Sequence, residues 1–272
     1  MVHARVRERY AGKAQQEWER LEATPITRIE YLIARRTLDR YLGDSVPPDG
    51  TILDAGCGPG RYAIDLARQG YRVVLCDLLC EMLCLAQSKA SEARVTERVQ
   101  AAVAADLAAL PYADACFDAV LCLGAPLSHL TEAGPRVRAV RELARVARPG
   151  ARVFLTGIQR LSAYRGGIYW GLWETWDQMT APQARATGVL PGSTLWYTFA
   201  PRELEGLAEE AGLRLLDRVG CEGLAQYLPM ERLAEVEADP VRGPVWREIL
   251  LETCNEPSIV GLSNHLLVVA EK

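Results

Sequence analysis

The chain has 272 residues, of which 49% are hydrophobic and 24% are charged, a composition typical of a globular protein with one large domain. Its formal net charge of −4, from 31 basic and 35 acidic side chains, gives no attraction to a nucleic-acid backbone. No apolar run approaches the length of a membrane span, and the charged N-terminus lacks the apolar segment of a secretory signal. We therefore expect a cytoplasmic protein without a membrane span or a nucleic-acid partner.

The N-terminal part of the chain, residues 1–44, is predicted to be a helical cap. Apolar residues at helical spacing indicate two helices that meet near Thr24 and Pro25. A segment with two consecutive prolines, Pro47 and Pro48, then leads into an α/β core that is predicted over residues 45–157.

This core begins with a strand, a glycine turn and a helix. Residues 51–55 are an apolar run that includes Asp54, and the helix over 61–69 ends before Gly70. Residues without a Cβ are needed where a backbone turns this tightly and contacts a ligand. The unpaired N–H groups at the start of the helix would lie beside that ligand. The turn contains Gly56, Cys57, Gly58 and Gly60.

The second strand, over residues 71–76, leads directly to Asp77, about 20 residues after the glycines. An acid at this place can accept hydrogen bonds from both hydroxyl groups of a ribose, so the turn, the helix and the acid together predict a nucleoside site. Asp54 would repel a pyrophosphate, whereas it would suit a ligand that carries an ammonium and a sulfonium. A nicotinamide-dependent oxidoreductase is therefore the less favoured alternative.

With these motifs the chain resembles the class I S-adenosylmethionine-dependent methyltransferases, in particular the small-molecule branch similar to the ubiquinone and menaquinone C-methyltransferases. The resemblance is close over residues 45–157 and weaker over 201–220 and the last strand. It includes residues 117–122 as the fourth strand and 148–153 as the turn into the fifth. One departure is Leu79-Cys80, where the family often has Ser-Pro.

The resemblance implies an α/β fold, a doubly wound, seven-stranded Rossmann-like sheet whose last strand, near residues 264–271, is antiparallel and lies between the fifth and sixth. It implies S-adenosyl-L-methionine as the cofactor and S-adenosyl-L-homocysteine as the product. In relatives such N-terminal helices close over the cofactor, so Tyr10, Trp18 and Arg28 could line the site. The implied cofactor-binding residues are Asp54, Gly56, Cys57, Gly58, Gly60, Asp77, Leu78, Met82, Asp106, Leu107 and Leu123.

The remaining elements of the core fit a doubly wound parallel sheet, because strands alternate with helices. The predicted helices lie at 80–93 and 131–147, and the predicted third and fifth strands lie at 99–105 and 151–158. Ligands of such sheets bind beyond the carboxyl ends of the strands. We therefore expect Asp54, Asp77, Asp106 and the loop 124–129 at one edge.

Two stretches exceed what this fold needs. Residues 158–200 contain eight of the chain's 19 aromatic residues and are predicted to form a lid over a substrate pocket, the alternative being that the rings pack on the sheet. Residues 201–272 are the C-terminal part of the core, with a helix over 201–211 and a sixth strand over 213–219. A helical insertion is predicted at 221–263.

The implied reaction is an SN2 transfer of the sulfonium methyl group to O, N, S or C of a small-molecule acceptor, which needs in-line placement and exclusion of water. A hydroxyl acceptor is helped by a base whose pKa lies near neutrality. His129 follows the fourth strand and is the predicted catalytic base, the alternative being that it caps or packs the next helix. His265 is interpreted as structural, and His3 is terminal.

Some alternatives stay open. The chain could be a non-catalytic nucleoside-binding protein that lacks an acceptor pocket. Methylation of nucleic-acid amino groups is disfavoured, because residues 123–127 lack the Asn/Asp-Pro-Pro-aromatic turn of those enzymes. The eight cysteines form no Cys-x-x-Cys pair, so we predict reduced thiols and no metal, although arsenic-methylating enzymes share the implied fold and use cysteines. The acceptor, the methylated atom and the oligomeric state are not determined.

Overall fold

The computed structural model describes residues 2–190 and 196–272. Its strands are β1 (Thr51–Ala55), β2 (Arg72–Asp77), β3 (Val99–Ala104), β4 (Phe117–Cys122), β5 (Ala147–Ile158), β6 (Val189–Leu190), β7 (Trp196–Tyr197), β8 (Arg214–Gly220) and β9 (His265–Glu271). Seven of them form one sheet in the order β3-β2-β1-β4-β5-β9-β8, and β6 pairs with β7. The pairs from β3 to β5 are parallel, whereas β9 runs antiparallel to β5 and β8. The predicted seven-stranded, doubly wound fold is confirmed.

Helices cover both faces of the sheet. They are α1 (Val2–Tyr10), α2 (Ala14–Ala23), α3 (Pro25–Leu42), α4 (Arg61–Arg68), α5 (Cys80–Glu92), α6 (Ala133–Val146), α7 (Arg160–Tyr169), α8 (Trp173–Thr180), α9 (Pro182–Thr187), α10 (Glu203–Glu210), α11 (Met230–Ala238), α12 (Arg242–Thr253) and α13 (Pro257–Val260). Successive side chains of a strand point to opposite faces. Accordingly Ile52 belongs to the core under α3, α4 and α5, and Leu53 to the core under α6 and α10.

The N-terminal part contains three helices, so the prediction of two is wrong in number. The extra break separates α1 from α2 at Gly12, whose φ of +69° is the left-handed conformation that glycine adopts readily. Thr24 caps α3, and its side chain accepts a hydrogen bond from the N–H of Thr27 at 3.3 Å. Hydrophobic spacing alone did not reveal the earlier break, because the same apolar pattern continues across it.

The predicted lid starts at the carboxyl end of β5 and consists of α7, α8, α9 and the hairpin of β6 and β7. Residues 191–195 of the predicted lid lie outside the described residues. Gly157 permits the lid to return to the sheet, because a Cβ there would overlap the Phe199 ring. Phe199 is 1% exposed and packs in the core, as the alternative interpretation expected for these rings, whereas Trp170 and Trp173 are exposed.

Other boundaries differ from the predictions by a few residues. β5 begins at Ala147, earlier than the predicted start at residue 151, because its first residues pair with β4 across an irregular register. The C-terminal insertion holds three helices, α11 to α13. Within residues 2–190 and 196–272, none of the helices combines the length and apolar character that crossing a membrane requires.

Candidate active site

The glycine turn joins β1 to α4, and its three glycines meet different surroundings. All three have positive φ: 74° at Gly56, 51° at Gly58 and 80° at Gly60. A Cβ on Gly56 would lie 2.5 Å from Pro126, and one on Gly60 would lie 2.9 Å from Ala86. A Cβ on Gly58 would meet nothing within 4 Å. Gly56 and Gly60 therefore allow close packing of the protein on itself, whereas Gly58 borders open space.

Asp77 lies at the carboxyl end of β2 and connects the turn to the start of α5. Its Oδ2 accepts the backbone N–H of Gly58 at 2.8 Å, and its Oδ1 accepts that of Leu79 at 2.9 Å. These bonds hold the carboxylate in one orientation at the sheet edge. Burial raises the pKa of Asp77 above its usual value, although the backbone hydrogen bonds oppose the shift.

Asp54 is 1% exposed, and its Oδ2 has no hydrogen-bond partner in the part of the chain that the structure describes. Burial, with the nearby charge of Asp77, raises its pKa to about 7. A buried carboxylate oxygen without a partner is unfavourable, so the site favours a ligand that brings positive charge or a donor. This orphaned oxygen, the space beside Gly58 and the fixed carboxylate of Asp77 fit S-adenosyl-L-methionine.

A cavity of about 400 Å³ lies at this edge of the sheet. With one exception, its walls include every residue that the sequence predicted as catalytic or cofactor-binding. Gly60 is the exception, since it packs behind the turn against Ala86. The predicted residues in the walls are Asp54, Gly56, Cys57, Gly58, Asp77, Leu78, Met82, Asp106, Leu107, Leu123 and His129.

The N-terminal helices supply wall residues that the sequence did not identify. His3 Nε2 lies 2.9 Å from Asp106 Oδ2, so α1 covers the end of the cavity beyond β3. Of the three residues that could line the site, Tyr10 is in the wall, whereas Trp18 and Arg28 are not among the residues that line it. Amphipathic spacing identifies such helices, but it does not show which distant residues they touch.

His129 lies on the short turn after β4, in the cavity wall. The Tyr10 hydroxyl is 3.0 Å from Nε2, the Trp196 ring is centred 4.3 Å from the imidazole, and Nδ1 is buried without a hydrogen-bond partner among the described residues. Burial and the positive charge of Arg9 lower the pKa of His129 to about 4. The imidazole is therefore neutral at physiological pH.

His265, interpreted from the sequence as structural, also lies in this wall. Its Nδ1 is 2.6 Å from Glu222 Oε1, and its backbone N–H donates to Glu222 Oε2 at 2.9 Å. The sequence did not predict this pairing, because the two residues are 43 positions apart and neither belongs to a sequence motif. The structure brings them to the same edge because β8 and β9 are neighbours in the sheet.

Comparison with known proteins supports the predicted family. Residues 52–150 match the family described as "Methyltransferase domain". A tRNA (carboxymethyluridine(34)-5-O)-methyltransferase of Arabidopsis thaliana is 34% identical over 42% of this chain. A demethylmenaquinone methyltransferase of Beutenbergia cavernae is 35% identical over 46%, and a ubiquinone biosynthesis O-methyltransferase of Xanthomonas oryzae is 29% identical over 57%. The aligned part spans 25%, 46% and 62% of these relatives' own lengths.

Solved structures extend the likeness to most of the chain. A SAM-dependent methyltransferase from Methanosarcina mazei superposes with a TM-score of 0.59 at 19% identity, covering 85% of this chain and 96% of that one. A geranyl diphosphate C-methyltransferase from Streptomyces coelicolor, in complex with Mg²⁺, geranyl diphosphate and S-adenosyl-L-homocysteine, gives 0.56 at 18% identity, covering 96% and 83%. Residues 52–150 thus match a methyltransferase domain, as the predicted family requires, and the chain has the fold of the solved S-adenosylmethionine-dependent methyltransferases.

Proposed function

We propose that this protein transfers the methyl group of S-adenosyl-L-methionine to a small-molecule acceptor. The observation that carries the proposal is the convergence of the orphaned Asp54 carboxylate, the open face of Gly58 and the oriented carboxylate of Asp77 on one cavity. Asp77 would accept hydrogen bonds from the ribose hydroxyl groups, and Asp54 would face the positively charged end of the cofactor. Their separate roles leave the sulfonium methyl group available to an acceptor.

The other predicted residues complete this arrangement. Leu78, Met82 and Leu107 offer apolar surface to the adenine ring, and the carboxylate of Asp106 would accept a hydrogen bond from its amino group. Cys57 and Leu123 line the remainder of the cofactor space. Catalysis then rests on in-line placement and on excluding water beneath α1 and the lid.

A small-molecule acceptor is supported by the enclosure of the site and by the charge of the chain. Helix α1 contributes His3, Val6, Arg9 and Tyr10 to the cavity wall, so the site is covered rather than open to a large duplex. The tRNA methyltransferase relatives align over only 108 to 113 residues, which is the extent of the cofactor-binding core. The net charge of −4 also disfavours a polyanionic acceptor.

His129, predicted from the sequence as the catalytic base, is proposed as a residue of the acceptor site. Because its pKa lies near 4, the neutral imidazole can accept a proton at physiological pH, but it holds that proton weakly. Buried free thiols at Cys76, Cys122 and Cys221 suit a reducing compartment, and we propose the cytoplasm.

Titration calorimetry with S-adenosyl-L-methionine, S-adenosyl-L-homocysteine and NAD tests the cofactor assignment. We expect both adenosyl compounds to bind and NAD to bind at least 100-fold more weakly. A methyl-transfer assay with radiolabelled S-adenosyl-L-methionine across phenols, amines, thiols and tRNA then distinguishes an enzyme from a non-catalytic binder. Binding of NAD without binding of S-adenosyl-L-homocysteine would contradict the proposed function.

A further inference from the structure

A second cavity, of about 440 Å³, lies under the lid and is called the lid chamber here. Its walls come from the lid helices, from α11 and from the residues that follow β8. They include Ala163, Trp170, Leu172, Met179, Leu190 and Met230, so most of the surface is apolar. A chamber of this volume and character suits the hydrophobic body of a small molecule.

The lid chamber shares part of its wall with the 400 Å³ cavity at the edge of the sheet, which the proposed function assigns to the cofactor. Arg20, Ile158, Trp196 and His265 border both. A molecule whose body occupies the lid chamber would therefore present its head group at the shared wall, towards the cofactor. The chemistry of that wall decides which head group can react.

A buried, hydrogen-bonded network occupies the shared wall. Arg20 donates from Nη1 and Nη2 to the two oxygens of Glu30, at 2.9 and 3.3 Å. His265 Nδ1 lies 2.6 Å from Glu222 Oε1 and 3.9 Å from Glu30 Oε2. The side chains of Glu30 and Glu222 are 6% and 4% exposed, and that of His265 is 15% exposed. The imidazole is thus the least enclosed of the three and borders both cavities.

This network could be interpreted as a metal site, because ligand atoms of Glu30, Glu222 and His265 lie within 4.8 Å of one another. Arg20 argues against that interpretation. Its guanidinium already hydrogen-bonds both oxygens of Glu30 and supplies the positive charge that would compensate the buried carboxylate. Glu222 likewise uses one oxygen for the imidazole and the other for the backbone of residue 265. A proton on His265 then balances the remaining charge.

We propose that His265 is the catalytic base for an acceptor that carries an acidic hydroxyl group on an apolar body, with the body in the lid chamber and Glu222 as the positioning residue. The proposal rests on the proposed function. A carboxylate on Nδ1 fixes the orientation of the ring and increases the basicity of Nε2, as in other histidine–carboxylate pairs. Hydroxyl groups need such a base, because they are weak nucleophiles while protonated.

The proposed step balances without a further reactant. The acceptor's O–H bond breaks, and its proton moves to Nε2 of His265. The oxygen forms a bond to the methyl carbon while the carbon–sulfur bond breaks, and that electron pair remains on sulfur, which leaves S-adenosyl-L-homocysteine. The imidazolium then releases its proton to water.

The charges around His265 give this base a distinctive pH dependence. Arg20 of α2, Glu30 of α3 and Glu222 after β8 act on the imidazole. Burial lowers its pKa, but the charges of Glu30 and Glu222 outweigh that effect, so the pKa is raised above 6.5. The rate should therefore rise with pH as His265 loses its proton above pH 6.5. A base with the pKa of His129, about 4, would give a rate that is independent of pH over the same range.

The test uses the full chain with para-ethylphenol, para-butylphenol and para-hexylphenol as acceptors, and S-adenosyl-L-homocysteine formation as the readout from pH 5.5 to 9. We expect the wild type to methylate the longer chains with the lower KM. His265→Gln should lower kcat about 100-fold while the affinity for S-adenosyl-L-homocysteine stays within about twofold. Glu222→Gln should move the rising limb of the pH profile to lower pH, and Glu248→Gln, at an exposed position of α12, should change nothing.

Two further measurements keep the proposal falsifiable if His265→Gln fails to fold. The NMR titration of His265 in the wild type should give a pKa above 6.5 that falls in Glu222→Gln. Ala163→Phe should weaken the apparent binding of para-hexylphenol, measured as a rise in KM, at least tenfold more than that of para-ethylphenol. Ala186→Phe, at an exposed position of α9, should leave both unchanged.

The contrary outcomes are distinct. If His265→Gln kept the wild-type kcat and pH profile, His265 would not be the catalytic base. If Ala163→Phe raised KM equally for the short and long phenols, the lid chamber would not be the binding site of the apolar body. A wild type that binds S-adenosyl-L-homocysteine but methylates none of the phenols would overturn the acceptor class, whereas a wild type that does not bind it would overturn the proposed function instead.

Discussion

Asp54 occupies an unusual electrostatic environment, because it is buried beside a second carboxylate, Asp77. Folding raises its pKa from 3.8 to about 7, so between these values the folded protein binds a proton that the unfolded chain does not. Ionisation of Asp54 therefore costs stability as the pH rises through this range. A cation in the site reverses the preference, because it stabilises the ionised carboxylate.

This coupling predicts that the affinity for S-adenosyl-L-methionine depends on pH. The cofactor's ammonium and sulfonium compete with a proton on Asp54, so affinity should increase with pH by at most about tenfold per unit up to pH 7 and then level off. In Asp54→Asn the slope should vanish and the affinity should fall. Calorimetry at pH 5.5 to 8.5 measures both, with Asp114→Asn, at an exposed position, as the control. If the affinity of Asp54→Asn depended on pH as steeply as that of the wild type, an ionisable group other than Asp54 would cause the dependence.

His129 contacts Tyr10 and Trp196 in the cavity wall, and the proposed function assigns it to the acceptor site. Replacing it by Gln removes the ring between these side chains, and we expect kcat to fall about tenfold while the affinity for S-adenosyl-L-homocysteine is retained. Steady-state kinetics and calorimetry measure the two quantities. Turnover equal to that of the wild type would remove His129 from the mechanism.

At the scale of elements, the turn between β1 and α4 combines two demands on glycine. Gly56 must lack a Cβ because Pro126 occupies that space, whereas a Cβ on Gly58 would meet nothing within 4 Å and would enter the space that the proposed function gives to the cofactor. We therefore expect the same residue type to serve packing at Gly56 and cofactor binding at Gly58. Sequence shows both as glycines and does not separate the roles.

Alanine substitutions should separate these roles. Gly56→Ala combines a positive φ with a clash against Pro126, so we expect it to lower the free energy of unfolding by about 2–4 kcal/mol. Gly58→Ala has only the conformational cost, about 1–2 kcal/mol, but it should weaken binding of S-adenosyl-L-homocysteine more than tenfold. Urea unfolding and calorimetry on the two variants measure the contrast. Equal losses of stability in both would refute the assignment.

The β–α elements were predictable because their signals are local. The signals of the first β–α–β unit all lie within about 30 residues. They are an apolar run, three alternate glycines and an acid at the end of the next strand. The helices before β1 were predicted as helices, but their number was wrong, and which of their residues face the cavity was mostly unknown. Docking of α1 rests on contacts such as His3 with Asp106, which no periodicity encodes.

At the scale of the whole molecule, two cavities share a wall in a chain with net charge −4. Proteins that bind nucleic acid gain affinity by neutralising phosphates, and this affinity falls steeply with salt. The acidic balance of this chain offers little of that attraction. The acceptor's size and apolarity, rather than its charge, should decide binding.

We therefore expect no specific binding of tRNA. In filter-binding experiments at 50 mM and 200 mM salt, any retention of tRNA should stay weaker than about 10⁻⁴ M, the weak end of non-specific affinities. A basic tRNA methyltransferase in the same assay provides the positive control. Micromolar binding at 200 mM salt would favour the acceptor class of the tRNA-modifying relatives and would contradict a small-molecule acceptor.

The amino-acid sequence by itself determined the sheet and most of the predicted residues that line the cavity at its edge, because hydrophobic period and glycine spacing act between neighbours in the chain. Only the tertiary structure decided that His265 lies with Arg20, Glu30 and Glu222 at the wall between two cavities. The physical reason is that burial and charge compensation depend on which distant segments pack together. Residues 20 and 265 lie on the same wall because of the fold of the whole chain, and no local sequence pattern predicts this proximity.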